Sequence, residues 1–60
     1  MTLSIIIIDD EAPARTRLRD LLADAMGEVP NEVVAEAANG ELAIEAMNGR
    51  PIDVALVDIR

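Results

Sequence analysis

Sixty residues allow one domain at most, and a chain this short buries only about 60% of the surface its unfolded form exposes, so an independent core is marginal. The 52% of hydrophobic residues argues against intrinsic disorder, while twelve acidic residues against five arginines and no lysine, a net charge of −7, argue against nucleic-acid contact by this segment. Cys, His, Phe, Tyr and Trp are all absent, which removes disulfides, zinc-finger ligation, thiolate or imidazole catalysis and aromatic base-stacking together, and leaves oxygen as the only ligand for any metal.

The first element is Leu3 to Ile8, a β-branched run without polar alternation, which predicts a strand covered on both faces as in a parallel sheet. Its apolar core, Ile5 to Ile8, is far below the ~18 residues a membrane span needs, and no basic segment precedes it as in a signal peptide; a cytoplasmic, non-membrane location is expected. After Asp9, Asp10 and Glu11, Pro13 suits the first turn of a helix predicted to run to about Met26. Ala14, Leu18, Leu21, Leu22 and Ala25 form its apolar stripe, which should pack on the sheet, while Arg15, Arg17 and Arg19 read as a solvated face.

Gly27 is placed as the residue after the helix cap, and Val33 to Ala37, interrupted by Glu36, reads as an edge strand. Asn39-Gly40 is both a hairpin signal and a helix N-cap signal; the helix formers from Glu41 to Met47 favour the cap, with Gly49 and Pro51 as stop signals. Leu42, Ala43, Ala46 and Met47 share the apolar face of that second helix. A third strand, Ile52 to Val57, ends at Asp58. Strands alternating with amphipathic helices predict an α/β fold with a parallel sheet and helices on both faces, burying the first and third strands.

In such sheets ligands collect beyond the carboxyl ends of the strands, where successive crossovers diverge. Asp9 and Asp10 follow the first strand and Asp58 the third; if those strands are neighbours, three carboxylates meet at one rim. Like charges that close favour a hard cation, and an all-oxygen donor set from one rim suits Mg²⁺, which in turn invites a phosphoryl group. The simpler reading of each acid alone is a turn former or helix N-cap.

Three stretches carry a specific resemblance: Ile-Ile-Ile-Ile-Asp-Asp-Glu at 5 to 11, Glu-Ala-Ala-Asn-Gly-Glu-Leu-Ala at 36 to 43, and Asp-Val-Ala-Leu-Val-Asp-Ile-Arg at 53 to 60. Together they resemble the receiver domain of bacterial two-component response regulators. The resemblance covers the whole chain and implies the N-terminal half of a flavodoxin-like doubly wound sheet, with order 2-1-3 out of 2-1-3-4-5. It implies that Asp58 accepts a phosphoryl group from a sensor histidine kinase in a Mg²⁺-dependent reaction. It further implies that Asp9, Asp10, Asp58 and the backbone carbonyl of Arg60 hold the metal.

On that reading the protein is a phosphoacceptor and not a turnover enzyme, and it relays the signal to its own output domain in transcriptional regulation. The stretch from Asp9 to Arg19 is also similar to regulators with a LytTR-type DNA-binding output. The hydroxyl residue and lysine that the family carries on its later strands have no counterpart here. The family's fourth strand is missing too, so a chain ending at residue 60 would expose its third strand as an edge and could form a homodimer through it.

Two rivals remain. A haloacid-dehalogenase-like phosphotransferase would use Asp9 as nucleophile, but Glu11 stands where that family has a second Asp, and Asp58 is left unexplained. A degenerate receiver would act only as a binding module. A dinucleotide-binding half-domain is excluded, because no Gly-x-Gly-x-x-Gly follows the first strand.

Overall fold

A computed structural model describes residues 1–58 and contains five elements: β1 (Leu3–Asp9), α1 (Ala12–Asp24), β2 (Asn31–Ala37), α2 (Gly40–Met47) and β3 (Val54–Asp58). Both strand pairings are parallel and the order is β2-β1-β3, so the fold is the α/β arrangement the alternation of elements predicts. Central placement explains the composition of β1. With neighbours on both edges and helices over both faces, Ile5, Ile6, Ile7 and Ile8 are all at most 5% exposed, and none of these four positions faces water.

The two faces are distinct. Ile6 and Ile8 pack with Ala37 of β2 and Ala43 of α2, with Ala46 and Met47 against them. Residues one position along the strand face the other way, so Ile5, Ile7 and Asp9 look toward α1, where Asp9 and Leu56 share a hollow with Ala14 and Leu18. α1 and α2 therefore cover opposite faces, so the β1-to-β2 and β2-to-β3 crossovers pass on opposite sides of the sheet.

β3 departs from expectation. Instead of being buried, its Ala55 and Val57 are exposed, Val57 to 61%, and Val54 and Leu56 are half-buried. The cause is topological: α1 and α2 pack over β1 and β2, and β1 is the only described strand that pairs with β3.

α1 also differs from its predicted form. It ends at Asp24 with Ala25 as cap, and the chain continues through tight turns in which Glu28 and Val29 donate to the Ala25 carbonyl. Gly27 consequently does not adopt the left-handed conformation of a terminating glycine. Ala14, Leu18, Leu22 and Ala25 form the half-buried stripe, but Leu21 is 57% exposed and lies outside it.

β2 begins at Asn31, two residues before the predicted start, because the Asn31 side chain is buried and tied to the end of α1. Its Nδ2 donates to the carbonyls of Leu22 at 3.0 Å and Val29 at 2.8 Å. The edge position inferred from Glu36 is correct. A register shift between Ile5 and Ile6 leaves Val34 without a partner in β1, and Arg50 Nη1 donates to the Val34 carbonyl at 2.8 Å.

At Asn39 the cap reading prevails over the hairpin: its Oδ1 accepts from the Leu42 amide at 2.9 Å. Gly49, at φ +74°, supplies the left-handed residue after the Asn48 cap of α2.

Candidate functional site

The site follows from the register of β1 and β3. Ile8 pairs with Val57 and Asp9 with Asp58, so the two aspartates end neighbouring parallel strands at the same level and on the same face. Parallel neighbours lie ~4.8 Å apart in the pairing direction, which brings both carboxylates to one rim. The rim lies at the carboxyl ends of the strands, the end at which open α/β sheets bind ligands. A hollow of about 330 Å³ opens there, lined by Asp9, Arg17 and Asp58 together with Ala14, Leu18 and Leu56.

The three predicted acids sit in different environments. Asp9 is 3% exposed; its Oδ1 accepts from the Glu11 amide at 2.9 Å, and its backbone carbonyl accepts from Arg15 Nη1 at 2.6 Å. The turn-forming role that short acids often play is thus real for one oxygen of Asp9, while Oδ2 takes no hydrogen bond from the described residues. Neither Asp9 nor Asp10 is the N-cap of α1; that position is Glu11, which makes no side-chain cap bond.

Asp10 is exposed on the bend between β1 and α1 and does not line the hollow, and Asp58 is exposed at the end of β3. Among the described residues, no cluster of three acidic side chains lies close enough to hold a metal ion. Asp9 and Asp58 are brought together at the hollow, and Asp10, on the bend after β1, is not among its lining residues. The Arg60 carbonyl lies outside the described residues.

The donor chemistry fits a hard divalent cation. Mg²⁺ uses one or two carboxylates and keeps several waters, and Asp9 and Asp58 line one hollow with oxygen donors of that type.

The arginines of α1 are more than a solvated face. Arg15 Nε lies 3.3 Å from Glu36 Oε1 and Arg19 Nη1 lies 2.7 Å from Glu36 Oε2, so β2 and α1 are clamped through one carboxylate, and Arg15 reaches on to Asp9. Arg17 lines the hollow itself. The available signal was the four-residue spacing of Arg15 and Arg19 along one helix face, with Glu36 the one charge inside an otherwise apolar run.

No family model matches the chain, and no solved structure gives a significant match. Three curated proteins do match. The chain is 43% identical over 58 residues, 97% of its length, to an uncharacterized response regulatory protein of Yersinia pestis, of which this covers 23%. It is 37% identical over 59 residues to an uncharacterized response regulatory protein of Vibrio cholerae, covering 98% of this chain and 22% of that one. It is also 38% identical over 56 residues to a protein-glutamate methylesterase/protein-glutamine glutaminase of Rhodospirillum centenum, covering 92% of this chain and 13% of that one.

The chain thus spans a quarter or less of the relatives it matches. The parallel 2-1-3 sheet, the aspartates level at the ends of β1 and β3, and these matches together identify the chain as a segment of the receiver domain of the response-regulator family.

Proposed function

We propose that Asp58 is the phosphoacceptor of a two-component relay, taking its phosphoryl group from the phosphohistidine of a sensor kinase. The observation that carries this reading is the register of Asp58 with Asp9 at the rim between β1 and β3. In the transfer, the phosphorus–nitrogen bond of phosphohistidine breaks as a bond forms between phosphorus and a carboxylate oxygen of Asp58. The imidazole keeps the electron pair and is reprotonated by solvent. A carboxylate is an adequate nucleophile, because in-line phosphoryl transfer depends on positioning and charge neutralisation more than on a strong base.

Asp9, Asp10 and Asp58 would hold Mg²⁺, with the Arg60 carbonyl as a further ligand; the ion supplies neutralisation of the phosphoryl oxygens. Asp58 is exposed and open to a donor protein, and the Asp9 carboxylate is held by its bond from the Glu11 amide. The phosphorylated segment then acts on an output domain of its own protein. That output is transcriptional on this reading, and the relay runs in the cytoplasm; none of the described helices is long and apolar enough to cross a membrane.

The test is intact mass of the full-length protein before and after acetyl phosphate with Mg²⁺, repeated with chelator and for Asp58→Asn. One phosphoryl group gained by wild type, and lost in Asp58→Asn and with chelator, is the expected result. Gain retained in Asp58→Asn overturns the assignment, and no gain by wild type makes the segment a binding module. Sustained phosphatase turnover abolished by Asp9→Asn would mark a haloacid-dehalogenase-like enzyme.

A further inference from the structure

We infer that Arg15 is a positioning residue for the acidic pair: it fixes the peptide between Asp9 and Asp10, and so sets the affinity of the rim for a divalent cation. The inference rests on the proposed role of those acids in cation binding. Arg15 Nη1 donates to the Asp9 carbonyl at 2.6 Å, and that carbonyl belongs to the peptide linking the two aspartates. Its Nε faces Glu36 Oε1 at 3.3 Å, and Arg19 holds the second oxygen of the same carboxylate at 2.7 Å. A guanidinium can make both contacts at once because its donors form a rigid planar fork, which a lysine ammonium cannot reproduce.

Two bonds then define the turn after β1. The Glu11 amide holds the Asp9 side chain at 2.9 Å, and Arg15 holds the Asp9 backbone. A cation bound by Asp9 and Asp10 requires their carboxylates in one relative orientation, and the peptide between them is the hinge that sets it. Without Arg15 the peptide loses one of these two restraints, and ordering it again on binding lowers affinity. Groups that orient metal-binding residues without touching the metal are commonly worth about tenfold or more in affinity.

Charge alone predicts the opposite sign. Arg15 is a cation near a cation site, so removing it should tighten binding if electrostatics governs, and exchanging it for lysine should change nothing. Positioning predicts that Arg15→Gln and Arg15→Lys both weaken binding. Glu36→Gln should weaken it as well, since it frees the guanidinium from its anchor, and the combined Arg15→Gln/Glu36→Gln variant should be no worse than Arg15→Gln alone.

The experiment is Mn²⁺ titration of the full-length protein, reading free Mn²⁺ by electron paramagnetic resonance. The Glu11 amide resonance is followed alongside as a report on the turn, and circular dichroism checks the fold. About tenfold weaker Mn²⁺ binding in both Arg15 variants, with a shifted Glu11 amide and unchanged secondary structure, is the expected result. Arg19→Gln, which keeps the bond to Asp9, should lose less and serves if an Arg15 variant fails to fold. Wild-type affinity in Arg15→Lys, or tighter binding in Arg15→Gln, overturns the inference while Asp10→Ala still abolishes binding. If wild type binds no Mn²⁺, or Asp10→Ala binds as well as wild type, the underlying reading of the acids fails and the inference falls with it.

Discussion

Asn31 offers a quantitative check on how this small fold is held together. It is 4% exposed, and its Nδ2 donates to two carbonyls from different parts of the chain: Leu22 in the last turn of α1 and Val29 in the turn leading to β2. The Leu22 carbonyl is one of those that a helix end leaves without an intrahelical partner, so Asn31 closes α1 and starts β2 with one amide. Asn31→Ala removes both bonds, each worth about 1 kcal/mol net, and leaves two carbonyls poorly solvated, for an expected loss of about 2–3 kcal/mol.

Asn31→Asp is nearly the same shape but turns an acceptor toward both carbonyls and buries a charge. It should cost at least as much as the alanine change, about 3 kcal/mol or more. Urea unfolding of the full-length protein, read as a shift in midpoint at constant slope, measures both. If Asn31→Asp lies within about 0.5 kcal/mol of wild type, the range expected of an uninvolved surface position, the argument is refuted.

Further outcomes are expected by the same assay. Ile6→Ala, at a position with 0% exposure among small neighbours such as Ala37 and Ala43 that cannot close the gap, should cost about 3–4 kcal/mol, whereas Leu21→Ala at 57% exposure should stay within about 0.5 kcal/mol. Asn39→Ala should lose about 1 kcal/mol through the missing cap bond to Leu42, and Asn39→Asp, which keeps an acceptor there, much less. Gly49→Ala should destabilise by about 1 kcal/mol because φ there is +74°, while Gly27→Ala, at an ordinary φ with nothing within 4 Å, should be neutral or mildly stabilising.

Elements whose cause is local were readable in the residues. Four consecutive isoleucines are compatible with few settings other than a strand covered on both faces, and β1 is that strand. The choice of a cap over a hairpin at Asn39 followed from the helix formers after it, and the stop at Gly49 from the conformational freedom of glycine. The acids at the ends of β1 and β3 were legible for the same reason: they stand directly after apolar runs, and strand order then sets which of them meet. Gly27 misled because a glycine after a helix permits a left-handed cap without requiring one; the turns closing on Ala25 end α1 instead.

What the sequence alone determined is the order of elements, the strand at the centre and the candidate acids, since each rests on periodicity or on residues adjacent in the chain. Only the tertiary structure decided that Asp9 and Asp58, but not Asp10, share a hollow, because that depends on register and on the face each residue takes. It also decided that β3 stays exposed and that Arg15 joins Glu36 to the Asp9 carbonyl. Those contacts link elements distant along the chain, and their partners are selected by the crossing of a helix over a strand, a geometry that no local pattern encodes.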